Sequence, residues 1–145
     1  MAITSTLTTS FKKELLQGVH NFNKASSPDT YKLALYSSSA SLDASTTAFT
    51  TSGEVSGTNY TSGGATLTLK TGTPTTDGTT AVVDFDNLTF SNVTVTAAGA
   101  LIYNSSDSNK AVCVIDFGKD ITATASDLTI TFPSTGASNS IIRLA

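Results

Sequence analysis

Ala98-Gly99-Ala100-Leu101-Ile102-Tyr103-Asn104 and Ala111-Val112-Cys113-Val114-Ile115-Asp116-Phe117-Gly118 are the stretches that decide the fold. Between them runs Asn104-Ser105-Ser106-Asp107-Ser108-Asn109-Lys110. Its Asn, Asp and Ser side chains can bond their own nearby backbone, which makes a chain reversal cheap. Neither apolar run is long enough for a stable helix, and both are rich in residues that suit a pleated surface. They read as adjacent antiparallel strands at the centre of a sheet. Strict alternation puts Cys113, Ile115 and Phe117 on one face and Val112, Val114 and Asp116 on the other. A strand apolar on both faces predicts cover on both, from an opposite sheet and from a helix.

Working outward, short strands are predicted at Tyr31 to Tyr36, around Ala65, Leu67 and Leu69, and over 80–86 and 88–96. The last of these changes phase between Phe90 and Val93, which predicts a bulge near Asn92. Residues 121–124 read as a short edge piece, 128–132 as an alternating strand stopped by Pro133, and 140–145 as a final strand. Thr71-Gly72-Thr73-Pro74-Thr75-Thr76-Asp77-Gly78 reads as a turn. A helix is predicted over 10–22, where Phe11, Leu15, Val19 and Phe22 form one stripe. Thr8, Thr9 or Ser10 would cap it, and Asn21 and Asn23 would end it. Residues 1–9 read as an extended arm. Residues 37–62 read as an ordered loop anchored by Leu42, Phe49, Val55 and Tyr60. The expected fold is therefore mainly β, an antiparallel β-sandwich or jelly-roll-like domain with one N-terminal α-helix. It is a single domain over 1–145, with its strands in 30–145.

Composition narrows the function. Charged residues are 13% of the 145, against about 25% in ordinary soluble proteins. Threonine and serine, 27 and 20 residues, take their place. Such a surface is neutral, and the β-branched Thr favours strands. With a net charge of -3 and only Lys12-Lys13 as a basic pair, the phosphate footprint of a nucleic-acid binder is missing. One Cys rules out an internal disulfide and a cysteine-based zinc cluster. Neither a signal peptide nor an apolar run near the roughly 18 residues of a membrane span is present. The expectation is a chain made and folded in a cytoplasm, with no membrane partner.

The reactive side chains form no recognisable machinery. His20 and Cys113 could pair as base and nucleophile, but a Cys inside Val-Cys-Val-Ile reads more simply as a small buried side chain. Asp84 and Asp86, two apart on one strand, with Asp116 ending another, could share calcium; no ligand loop surrounds them. Eleven acidic residues and no Trp argue against sugar hydrolysis. The sequons at Asn59, Asn87, Asn92 and Asn104 follow from the abundance of Ser and Thr. Gly63-Gly64 lacks the strand and helix of a phosphate loop. The reading is a non-enzyme with no cofactor, no metal and no small-molecule substrate.

Four pieces in order carry a resemblance: Thr9-Ser10-Phe11-Lys12-Lys13-Glu14-Leu15-Leu16-Gln17-Gly18-Val19-His20; Tyr31-Lys32-Leu33-Ala34-Leu35-Tyr36; Glu54-Val55-Ser56-Gly57-Thr58-Asn59-Tyr60-Thr61-Ser62-Gly63-Gly64; and Gly99 to Asn104 with its partner strand and the closing Ser140-Ile141-Ile142-Arg143-Leu144-Ala145. Together they resemble a family of small virion structural proteins of tailed bacteriophages. The resemblance implies a place in a virus particle, and the one short domain, neutral hydroxyl-rich surface, extended arm and ordered 37–62 loop favour, within it, a capsid decoration (cement) protein. Such a protein binds the major capsid protein on the outer shell, often as a homotrimer, after assembly in the bacterial cytoplasm. Ile3 and Leu7 of the arm and Ile141, Ile142 and Leu144 of the tail are the expected contact residues. A tail-fibre or baseplate component and a receptor- or glycan-binding module of the virion are the alternatives.

Overall fold

Two very long strands dominate the computed structural model, which describes residues 2–145. Strand β6 (Leu88–Asn104) and strand β7 (Lys110–Ile130) form one antiparallel hairpin around the predicted central turn. The pieces read from sequence as separate strands are segments of these two legs. The hairpin stays continuous because bulges absorb each change of apolar phase. The register shifts between Phe90 and Val93, Val93 and Val95, Ala97 and Gly99, and Ile102 and Tyr103. Asn92 sits at φ 50° in the first of these, at the position expected for a bulge.

The remaining elements are β1 (Thr6–Leu7), α1 (Thr9–Leu16), β2 (Tyr31–Tyr36), β3 (Ala65–Thr66), β4 (Thr75–Asp77), β5 (Thr80–Val83) and β8 (Ile142–Leu144). They assemble into a five-stranded sheet, β1-β7-β6-β2-β3, and a three-stranded sheet, β4-β5-β8. All pairings between named strands are antiparallel. The chain is thus mainly β, sandwich-like, with one short N-terminal helix. The sheets are unequal, and no jelly roll is assigned.

The larger core lies between the sheets, where Leu33, Leu35, Ile102 and Val112 meet Val83, Phe85 and Ile142, with Phe11 and Phe22 alongside. A smaller core, with Tyr36, Leu101, Tyr103 and Val114, sits on the other face of the large sheet under Leu42 and Phe49. Helix and small sheet therefore share one face, and the chain after β2 covers the other. Ile102 faces Cys113 and Tyr103 faces Ala111, leaving Val112 as an extra residue. Val112 and Cys113 consequently both enter the larger core, which corrects the strict alternation.

The helix is shorter than the predicted 10–22. Thr8 caps it, its Oγ1 accepting from the Phe11 N–H at 3.3 Å. Gly18 ends it at φ 74°, with Gly18 N–H donating to Leu15 O and Val19 N–H donating to Glu14 O. This is a Schellman closure, which needs the left-handed residue that glycine supplies. Phe22 is still buried in the larger core, but from the loop rather than the helix. The predicted turn at 71–78 also contains β4, joined to β5 by a tight reversal in which Asp77 faces Thr80 and Gly78 takes φ 61°.

Residues 53–64 act as a surrogate strand. Strand β3 reaches only Lys32 and Leu33 of β2, so the edge beyond would be bare. There Val55 N–H donates to Leu35 O at 3.0 Å, and Leu35 N–H donates to the Tyr60 hydroxyl at 2.9 Å. Tyr60 donates in turn to Glu54 Oε1, which also accepts from Gly63 N–H, while Glu54 Oε2 accepts from Ser62. Gly64, at φ 76°, lies so close to β2 that a Cβ there would overlap the Leu33 carbonyl. The Glu54 to Gly64 motif is therefore an edge cover.

Candidate interaction surface

The two sheets part at one edge and leave the larger core open. Strand β1 covers β7 only at Cys113 and Val114, and the three-residue β8 is the last strand of its sheet. Beyond β1, Ile115, Phe117, Ile121, Ile130 and Ile141 are half-buried against the core. They border an apolar hollow of about 370 Å³ floored by Leu128 and Phe132. A second hollow of about 320 Å³ shares Ile115 and Ile141 and runs on to Leu7 and Arg143. The result is one trough from the arm to Pro133. Away from the hairpin tip, whose other face carries the smaller core, exposed hydroxyls pair across the two strands, Thr89 with Thr129 at 2.9 Å and Thr96 with Thr122 at 3.0 Å.

The five contact residues expected from the sequence are dispersed. Leu7 and Ile141 come together in the trough. Ile3 is half-buried on the other face, bridging in parallel to Leu42 and packing on the smaller core. Ile142 is 2% exposed, because the alternation of β8 turns it inward, and it is corrected from contact residue to core residue. Leu144 is 48% exposed, away from the trough beside Leu15. The arm itself, apart from Met1, which lies outside the described residues, is docked. Thr4 N–H donates to Leu42 O, Thr6 and Leu7 pair with β7, and Thr8 N–H donates to Val112 O. Sequence reading missed Phe117, Ile121 and Ile130 because they look like ordinary inward strand positions; only the shortness of β1 and β8 uncovers them.

The remaining candidates resolve into structure. His20 is buried, and both ring nitrogens are engaged: Nε2 lies 2.8 Å from Glu14 Oε2, and Nδ1 lies 3.1 Å from Asn104 Nδ2. The Asn104 amide also donates to Asp29 at 2.8 Å, while its Oδ1 accepts from Ser106 N–H. Nδ1 is therefore the acceptor and Nε2 the donor, and the network fastens helix, loop and hairpin tip together. Burial pushes the Cys113 thiol up to about 12, so the thiolate form that a nucleophile needs is disfavoured. Asp84 is wholly buried whereas Asp86 and Asp116 are exposed. No cluster of three or more metal-ligating side chains exists among the described residues. A polar hollow of about 470 Å³ lined by Ser37, Glu54, Thr94, Thr96 and Thr122 has no aromatic wall, and Glu54 is already committed to the edge cover.

Among the described residues no helix is long and apolar enough to cross a membrane. Compared with family models, with curated proteins and with solved structures, the chain finds no match.

Proposed function

We propose that this chain is a structural protein of a tailed-bacteriophage particle, and within it a decoration protein seated on the major capsid protein at the outer shell. The observation that carries this reading is the apolar trough at the open sheet edge of a domain whose composition is rich in threonine and serine. A hydroxyl surface of low charge stays soluble without recruiting polyions. The trough supplies the one kind of surface that gains by being covered, at about 25 cal/mol per Å² of apolar area before ordering costs. Leu7 and Ile141, where arm and tail reach that trough, are the contact residues retained in this proposal. Repeated around a shell as a homotrimer, modest contacts add to a large total resistance to internal pressure.

Quantitative mass spectrometry of purified particles tests it. A copy number scaling with the capsomers of the shell is the expected result. A number matching the symmetry of a tail would replace this reading with that of a fibre or baseplate component, and absence from particles would overturn both.

A further inference from the structure

His20 is the one histidine of the chain, and its side chain is fully buried where α1, the loop before β2 and the tip of the long hairpin meet. Phe11 packs against the ring at 4.9 Å between centroids and brings no charge. Nε2–H donates to Glu14 Oε2 at 2.8 Å, so a second proton has to be taken at Nδ1. There the Asn104 amide stands 3.1 Å away with its NH2 group turned to the ring. That orientation is fixed from both ends: the amide nitrogen also donates to Asp29 Oδ2 at 2.8 Å, and Oδ1 accepts from Ser106 N–H at 3.0 Å. A proton on Nδ1 therefore sets one donor against another.

We infer that His20 is a proton-operated latch on the hairpin tip. When the imidazole takes its second proton, the Asn104 amide turns over, presents Oδ1 to Nδ1–H, and lets go of Asp29 and of Ser106 N–H. The charges facing the ring favour this: Glu14 on the helix and Asp29 on the loop are both carboxylates, and each attracts an imidazolium. The other charged groups nearby are occupied or remote. Lys110 and Asp107 of the tip pair with each other at 3.2 Å, Lys24 is held at Leu69 O, and Lys12 and Lys13 are exposed. Tyr31 of β2 donates its hydroxyl to Asn21 O, and burial pushes its phenol up, so it brings no charge at or below neutral pH. The cost falls on the tip, where Asn104 pairs with Lys110 and its Oδ1 holds the first bond of the intervening turn. Thr30 remains bonded to Ser105 N–H and to the Ser106 hydroxyl, so the tip loosens at Asn104 without leaving the domain. The latch lies within one chain and requires no particle.

Nitrogen NMR of the full-length chain from about pH 8 to about pH 5, the span over which histidine titrates, tests it. At the upper end the ring should report the Nε2–H tautomer. As the ring gains its second proton, the Asn104 side-chain amide and the Ser106 backbone amide should shift with the same midpoint as the ring. Corrected for its intrinsic pH dependence, hydrogen exchange at Ser106 should become about tenfold faster on the acid side, the factor for one hydrogen bond, while amides in the middle of β6 stay unchanged. His20→Gln, which can still donate to Glu14 and accept from Asn104, should abolish the response and keep the circular dichroism spectrum. A Ser106 response that persists in His20→Gln would assign it to Glu14, Asp29 or Asp107 and overturn the inference. A ring that takes its second proton with Asn104 and Ser106 unmoved would overturn it too, as would an Nδ1–H tautomer at the upper end or a ring still neutral at the lower. The coincidence of midpoints in the wild type carries the test even where the variant is unstable.

Discussion

Tyr60→Phe removes a single oxygen from the edge cover of β2. That oxygen accepts from Leu35 N–H at 2.9 Å and donates to Glu54 Oε1 at 2.9 Å. Leu35 is fully buried, so its orphaned N–H costs about 1–3 kcal/mol. The lost bond to the partly exposed carboxylate adds about 1 kcal/mol, and relief from burying the hydroxyl offsets part of the sum, leaving about 2 kcal/mol. Unfolding entropy is about 2.1 cal/mol/K per residue, so over 145 residues this lowers Tm by roughly 6–7 °C. Urea unfolding followed by circular dichroism should show a lower midpoint with an unchanged slope. Hydrogen exchange should show the Leu35 amide losing protection relative to Leu33, whose residue pairs with Ala65 of β3. A Tm within about 1 °C of wild type, with Leu35 still protected, would refute the claim that residues 53–64 stand in for a missing strand.

Ile142→Ala should destabilise by about 2–4 kcal/mol, because the side chain is core, whereas Leu144→Ser should stay within about 0.5 kcal/mol; chemical denaturation of both checks this, and equal effects would contradict the inward turn of β8. Thr8→Ala should cost about 1–2 kcal/mol through loss of the helix cap; an unchanged unfolding midpoint would show that the cap contributes nothing. Cys113, held protonated by burial, should react with a thiol reagent at neutral pH only as fast as the fold opens, so prompt labelling of native protein would rule out the packing described. Burial also raises the phenol pKa values of Tyr31, Tyr36 and Tyr60. The folded state therefore keeps protons that the unfolded chain releases near pH 10. Stability should be fully present below about pH 10 and fall above it; Tyr36→Phe should shallow that fall, and a urea midpoint flat up to pH 12 would contradict it.

Periodicity made the fold class legible because alternation over Tyr31 to Tyr36 and over the central hairpin is a local property of the chain. The bulge near Asn92 was visible for the same reason, as a slip of one step between Phe90 and Val93. What alternation does not reveal is that strands broken in phase can be continuous in space, so by alternation alone residues 88–104 and 110–130 read as several pieces. The apolar stripe persists to Phe22 and so suggests a longer helix than the one that forms, although Gly18 followed by Val19 carries the Schellman signal. Leu7 and Ile141 were identified as candidate contacts by their place in the arm and tail. Phe117, Ile121 and Ile130 were not, since exposure of an inward-facing residue depends on how far its neighbours reach, and no window of sequence contains that.

The hairpin also sets an order of events for folding. Its tip pairs Asn104 with Lys110, so the first loop to close is short and each later pair extends a ladder already begun. The hydrogen bond from the Thr8 hydroxyl to Ala111 O spans 103 residues. Contacts of that kind must wait until the ribbon exists, and such non-local pairings are the slow ones. The arm precedes in the chain the β7 edge on which it docks, so its pairing depends on that edge being formed. Until the arm docks, the β7 edge at Val112, Cys113 and Val114 is bare, and a nascent chain is then most prone to pair with the wrong copy of itself.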